Sequence, residues 1–106
     1  MCEKITGDLQ NLVHSWLEQL EVQLFYSEHT VVCYRRDLFN FLSFLSNHEG
    51  TIVNLKILKD LKLADFRAWL SSRVSDDLSA RSNARALSSV RSFFYYLAKM
   101  NLLDTK

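Results

Sequence analysis

The chain has 106 residues at 12.4 kDa, 48% hydrophobic and 24% charged, which suffices for one compact domain with its own core and leaves no room for two. It holds no proline and only Gly7 and Gly50, with apolar and aromatic residues spread throughout, which argues against disorder and against a turn-rich β-sandwich. The net charge of +1 hides an asymmetry: residues 1–34 carry one base and five acids, residues 35–106 twelve bases and seven acids.

The first periodic segment, about residues 8–24, sets Leu9, Leu12, Val13, Trp16, Leu17, Leu20 and Leu24 three and four apart among polar residues. That spacing predicts an amphipathic helix. Ser27 then stands as an N-cap, with Glu28 suited to the positive end of the helix dipole. A second helix is expected over about 28–47, with a buried stripe of Val31, Tyr34, Leu38, Phe41, Leu42 and Leu45. Its opposite side shows Val32, Arg36, Asn40 and Ser43, together with Phe39, an apolar ring on a polar face.

Gly50 is the expected stop of that helix. The stretch from Ile52 to Leu61 fits a short helix or an extended segment equally, and reads as a linker containing a helical turn. A third helix is expected over about 63–75, with Leu63, Phe66, Trp69, Leu70 and Val74 inward and Asp65 in its first turn. Ser79 caps the fourth, about 80–100, whose apolar face carries Ala86, Leu87, Val90, Phe93, Phe94 and Leu97. Its other face lines up Arg81, Arg85, Ser88 and Ser92, and from Leu78 to Leu103 there is no acid at all. Four amphipathic helices with short joints can bury their stripes only against one another, so the expected fold is an all-α bundle of two helical hairpins.

Little in the chain suggests chemistry. Cys2 and Cys33 make neither a disulfide framework nor a metal motif, and reduced thiols in a cytoplasmic protein are the expectation. His14, His29 and His48 sit on different elements without ligand spacing, Asp76 and Asp77 read as a solvated turn, and there is no glycine-rich phosphate loop. No cofactor, no metal and no enzyme complete within these residues is expected. No apolar run approaches the roughly 18 residues of a membrane span, so no membrane partner is expected either. The acid-free face of the fourth helix stands apart. Guanidinium groups beside small hydroxyls suit a polyanion, arginine reaching phosphate or guanine edges and serine donating to phosphate. Taken by themselves, arginines four apart fit an ordinary solvated face equally well.

Two blocks carry a family pattern. Ser27-Glu28-His29-Thr30 with Tyr34-Arg35-Arg36-Asp37-Leu38, Phe41 and Phe44-Leu45 resembles the opening of the N-terminal core-binding domain of phage-integrase-type tyrosine recombinases. Leu78-Ser79-Ala80-Arg81-Ser82 with Ala84-Arg85-Ala86-Leu87-Ser88-Ser89-Val90-Arg91-Ser92-Phe93-Phe94-Tyr95-Tyr96-Leu97 is similar to the last helix of that domain in the Xer recombinases, and Asp65-Phe66-Arg67-Ala68-Trp69-Leu70 also matches. The resemblance implies a SAM-like four-helix domain that forms one jaw of a clamp on double-stranded recombination-site DNA. It makes Thr30, Cys33 and Arg36 on the second helix, and Arg81, Ser82, Arg85, Ser88 and Arg91 on the fourth, the DNA-facing candidates.

The resemblance further implies chromosome-dimer resolution or DNA integration by a longer protein, with partners in its own catalytic domain and in paired recombinase subunits of a tetramer. The family's His-x-x-Arg motif is absent here, and Asp104-Thr105-Lys106 falls where an interdomain linker should begin. The catalytic domain is therefore expected to be absent from this chain. Lys62 departs from the family's usual capping residue. The competing reading is a helical protein-interaction module that uses Phe39, Tyr95 and Tyr96.

Overall fold

The computed structural model describes residues 4–103; Cys2 and the stretch Asp104-Thr105-Lys106 lie outside the described residues. The chain is all-α. Helix α1 spans Gly7–Glu18 and passes into a π-helical turn at Gln19–Gln23. It is followed by α2 (Glu28–Glu49), the short α3 (Leu55–Lys59), α4 (Leu63–Ser75) and α5 (Ala80–Lys99). The caps follow local chemistry. Ser27 Oγ accepts the Thr30 amide and Ser79 Oγ accepts the Ser82 amide, each satisfying a backbone donor that the first helical turn leaves open. Gly50, at φ 71°, closes α2 in the left-handed conformation that glycine adopts without strain. Lys62 has no side-chain acceptor to cap α4, and Asp65 makes up for it by accepting the Lys62 amide at 2.8 Å.

The two longest helices, α2 and α5, pack along each other; α1 lies against α5, its π-helical turn against α2, and α4 against both. Two aromatic clusters flank that central contact. In the first, the fully buried Trp16 meets Phe93 edge-on at 5.3 Å, stacks with Tyr34 at 6.4 Å, and donates from Nε1 to Ser92 Oγ at 3.0 Å. In the second, Phe41 meets Trp69 at 4.8 Å, Phe66 at 5.5 Å and Phe94 at 6.1 Å. Leu38, Leu42, Leu45, Val90 and Leu97 fill the space around them.

The segment that reads two ways in sequence is both things in turn. Val53 pairs with Ile5 in an isolated parallel bridge, Thr6 N–H donating to Val53 O at 3.0 Å and Val53 N–H to Lys4 O at 2.8 Å. Asn54 then caps α3 by accepting the Ile57 amide, which turns Leu58 into the core.

Three expectations are corrected. Leu63 and Val74 are not inward: they are 65% and 66% exposed, because α4 turns its Trp69 and Arg73 side toward α2 and α5. Tyr96 is buried and Phe39 is half-buried against the core, which leaves Tyr95 alone of that aromatic trio exposed. Ser92 does not lie on an open face, since α1 claims its hydroxyl through Trp16.

Phe93→Ala empties a fully buried site inside the Trp16 cluster and is expected to cost about 3–5 kcal/mol, read as a lower denaturation midpoint at unchanged slope. Phe94→Ala, at a half-buried position, is expected to cost less.

Candidate nucleic-acid interface

Because α2 and α5 bury their apolar stripes against each other, their polar edges emerge along one seam. Its centre is an ion pair. Arg85 donates from Nε to Asp37 Oδ2 at 2.8 Å and from Nη2 to Asp37 Oδ1 at 3.3 Å, while the Asp37 residue is 3% exposed and Arg85 half-buried. The hydrogen bond to Asp37 raises the Arg85 pKa above its ordinary value, so the guanidinium is a fixed cation. Its side edge is occupied, and Nη1 remains on the other edge.

Around this pair the eight candidate residues fall into groups. Arg36 precedes Asp37 and is exposed; Arg81 and Ser88, about one turn to either side of Arg85, are exposed as well. Among the described residues Arg36, Arg81 and Arg91 make no ion pair. Ser82 is half-buried and accepts from Arg73 Nη2 at 3.2 Å. Thr30 takes part in the α2 cap, accepting from the Ser27 hydroxyl at 2.9 Å. Cys33 is buried beneath the surface, its Sγ 3.6 Å from His29 Nε2 and 3.7 Å from Arg36 Nη2, where it supports Arg36 from below. Arg91 stands apart on the flank of α5, on a groove of roughly 600 Å³ lined also by Lys59, Phe66, Phe94, Tyr95 and Leu102.

Two residues at the seam escaped the sequence reading. Asn40, visible there only as one of several polar residues, accepts from both Trp69 Nε1 and Arg73 Nη1. Arg73, which the sequence reading does not single out, is 5% exposed. The signal that could have found it is the spacing Trp69–Arg73, one helical turn on an inward face.

One further cluster has a structural explanation. His48, Glu49 and Asp65 bring ligand atoms within 4.8 Å of one another, with His48 Nε2 3.3 Å from Asp65 Oδ1. This joins the last turn of α2 to the first turn of α4, where the Asp65 carboxylate suits the positive end of the α4 dipole, and the other oxygen of Asp65 is taken by the α4 cap.

The described residues form an all-helical domain with one acid-poor seam along its two longest helices. The chain belongs to the family described as phage integrase, N-terminal SAM-like domain, which it matches over residues 13–101. Among curated proteins it is 34% identical over 97 residues to the tyrosine recombinase XerC of Rickettsia conorii, covering 92% of this chain and 32% of that protein. To the tyrosine recombinase XerC of Rickettsia prowazekii it is 35% identical over 96 residues, covering 91% of this chain and 32% of that protein. The chain thus spans about a third of the length of these relatives. The comparison with solved structures found no significant match.

The ion pair separates two arginines that look alike in sequence. Arg85→Ala strands the buried Asp37 carboxylate and is expected to destabilise the fold by about 1–3 kcal/mol. Arg81→Ala, at an exposed position without an ion pair, should stay within about 0.5 kcal/mol of the parent, both variants being read by urea titration.

Proposed function

We propose that this chain is the DNA-gripping N-terminal domain of a XerC-like tyrosine recombinase, and that it sets α2 and α5 against the major groove of a duplex recombination site. The observation that carries this reading is the charge of the seam. Between Glu28 and Glu49, α2 holds a single carboxylate, Asp37, which is buried and neutralised by Arg85, and α5 holds none. Exposed there are Arg36, Arg81, Ser88, the amide of Asn40 and the open edge of Arg85, with no free carboxylate on α2 between Glu28 and Glu49 or on α5. Such a surface meets a phosphate backbone without like-charge repulsion, and arginine forks reach both phosphates and guanine edges.

The parts have different tasks. Arg36 and Arg81 are the phosphate anchors, because their long side chains are free of ion pairs and lie on opposite sides of the seam. Arg85 is held by Asp37, so its open edge is pre-oriented and suits a base or a fixed phosphate. Thr30, Ser82 and Ser88 donate short hydrogen bonds; Cys33 acts through Arg36; Arg91 extends the positive surface along the flank. Cleavage and rejoining of DNA belong to a separate catalytic domain of a longer cytoplasmic protein that works in a tetramer of paired subunits, so this chain alone binds without cutting.

Fluorescence anisotropy with a short random-sequence duplex tests the reading. With about three to five phosphates neutralised, log K should fall against log salt with a slope of roughly −3 to −4.5. Arg81→Glu should weaken binding at every salt concentration. Lys59→Glu, on the groove away from the seam, should act through long-range charge alone, an effect that fades as the Debye length shrinks to about 3 Å at 1 M salt. Salt-independent binding, or equal losses for the two variants, would rule out a groove-facing seam.

A further inference from the structure

Behind the seam lies a cation that is almost wholly buried. The Arg73 guanidinium sits 5.6 Å from the centroid of the Trp69 ring. It donates from Nε to Asn83 Oδ1 at 2.8 Å, from Nη1 to Asn40 Oδ1 at 2.8 Å and from Nη2 to Ser82 Oγ at 3.2 Å. All of these partners are neutral. Among the described residues no carboxylate comes within ion-pair distance of Arg73; Asp76 lines the adjacent pocket together with Asn40 and Ser72 and pairs with nothing. An arginine cannot shed its proton in a protein, so the charge persists and polarises whatever accepts from it.

The acceptors are the informative part. Asparagine and serine are ambivalent, each able to donate or accept, until a neighbour decides for them. Asn40 Oδ1 receives two N–H bonds from within, the second from Trp69 Nε1 at 3.0 Å, which commits the oxygen and leaves the NH₂ group as the donor of this exposed residue. Ser82 Oγ accepts from Arg73 and keeps its own proton for the outside. Since Nη1 and Nη2 belong to one planar group, the two acceptors they hold, Asn40 on α2 and Ser82 on α5, are brought to neighbouring positions.

We propose that Asn40 Nδ2 and Ser82 Oγ form an oxyanion subsite for a non-bridging phosphodiester oxygen of duplex DNA, with Arg73 as its buried positioning residue. The inference rests on the DNA-binding reading above and adds two things to it. Asn40 becomes a phosphate contact, and a further cation, Arg73, acts on the backbone without touching it. Hydrogen bonds that draw on an ionised donor are shorter and stronger than neutral ones, and here the strengthening passes through one intervening group.

Asn40→Asp is the decisive variant. It keeps an acceptor toward Trp69 and gives Arg73 the carboxylate it lacks, so the thermal midpoint should hold or rise. It also replaces the outward NH₂ with an acceptor, and affinity for the random-sequence duplex in the anisotropy assay should fall about tenfold. Asn47→Asp, about two turns along the same side of α2, makes the same change of charge and should lose about threefold or less. Ser82→Ala, which adds no charge, should lose several-fold. Equal losses for Asn40→Asp and Asn47→Asp, or a lowered midpoint for Asn40→Asp, would overturn the subsite while leaving the seam as a DNA surface. If the parent protein binds no duplex, the DNA reading itself fails, and the subsite with it.

Discussion

Everything on the surface of this domain depends on how α2 lies against α5. Each helix has one apolar stripe, and burying the two stripes against each other leaves no freedom over where the polar edges go: they meet in one seam. The Asp37–Arg85 pair crosses that seam and fixes the register of one helix against the other. A buried carboxylate is tolerated only with such a partner, so a sliding of α5 by one turn would strand a charge as well as misplace Phe93 and Leu97. Apolar packing sets the approach of the helices; the ion pair sets their alignment.

The polar residues therefore divide by what stands behind them. Ser92 and Arg85 have their groups drawn inward or sideways by Trp16 and Asp37, whereas Arg36, Arg81 and Ser88 keep theirs for solvent. Arg73 belongs to neither set. It is buried like a core residue and charged like a surface one, and it joins α4 to both helices of the seam through Asn40, Ser82 and Asn83. A domain of this size has few such junctions, and this one holds the third long helix in place by hydrogen bonds where its apolar stripe is weak.

That weakness is also why α4 was the least legible of the long helices in sequence. The stripes of α2 and α5 repeat cleanly every three and four residues, and their serine caps and Gly50 carry local signatures, so periodicity and capping chemistry were enough to read them. In α4 the inward side is Phe66, Trp69, Leu70 and Arg73, and a buried arginine among them masks the pattern; Leu63 and Val74 look like core residues only when Arg73 is assumed to be solvated. Of the candidate interface, the acid-free composition of α5 and the exposed place of Arg36 on the polar side of α2 were readable. The pairings Asp37–Arg85, Trp16–Ser92 and Arg73–Asn40 were not, because contacts between residues distant in sequence leave no periodic trace. The stretch from Ile52 to Leu61 resisted for another reason: its apolar residues serve a bridge at Val53 and a helix at Leu58, two periods in a few residues.

The bridge between Ile5 and Val53 reaches further than its two hydrogen bonds. It stitches the start of the chain to its midpoint, so that Lys4 to Thr6 form a strap across the base of the bundle, and it lies upstream of the stretch at residue 13 where the family likeness begins. Ile5 and Leu9 are nonetheless part of the same buried cluster as Trp16 and Phe41. The unit that folds thus begins ahead of the stretch that the family likeness covers. A domain boundary drawn from the family likeness alone would cut through the hydrophobic core, removing Ile5 and Leu9 and uncovering Val53.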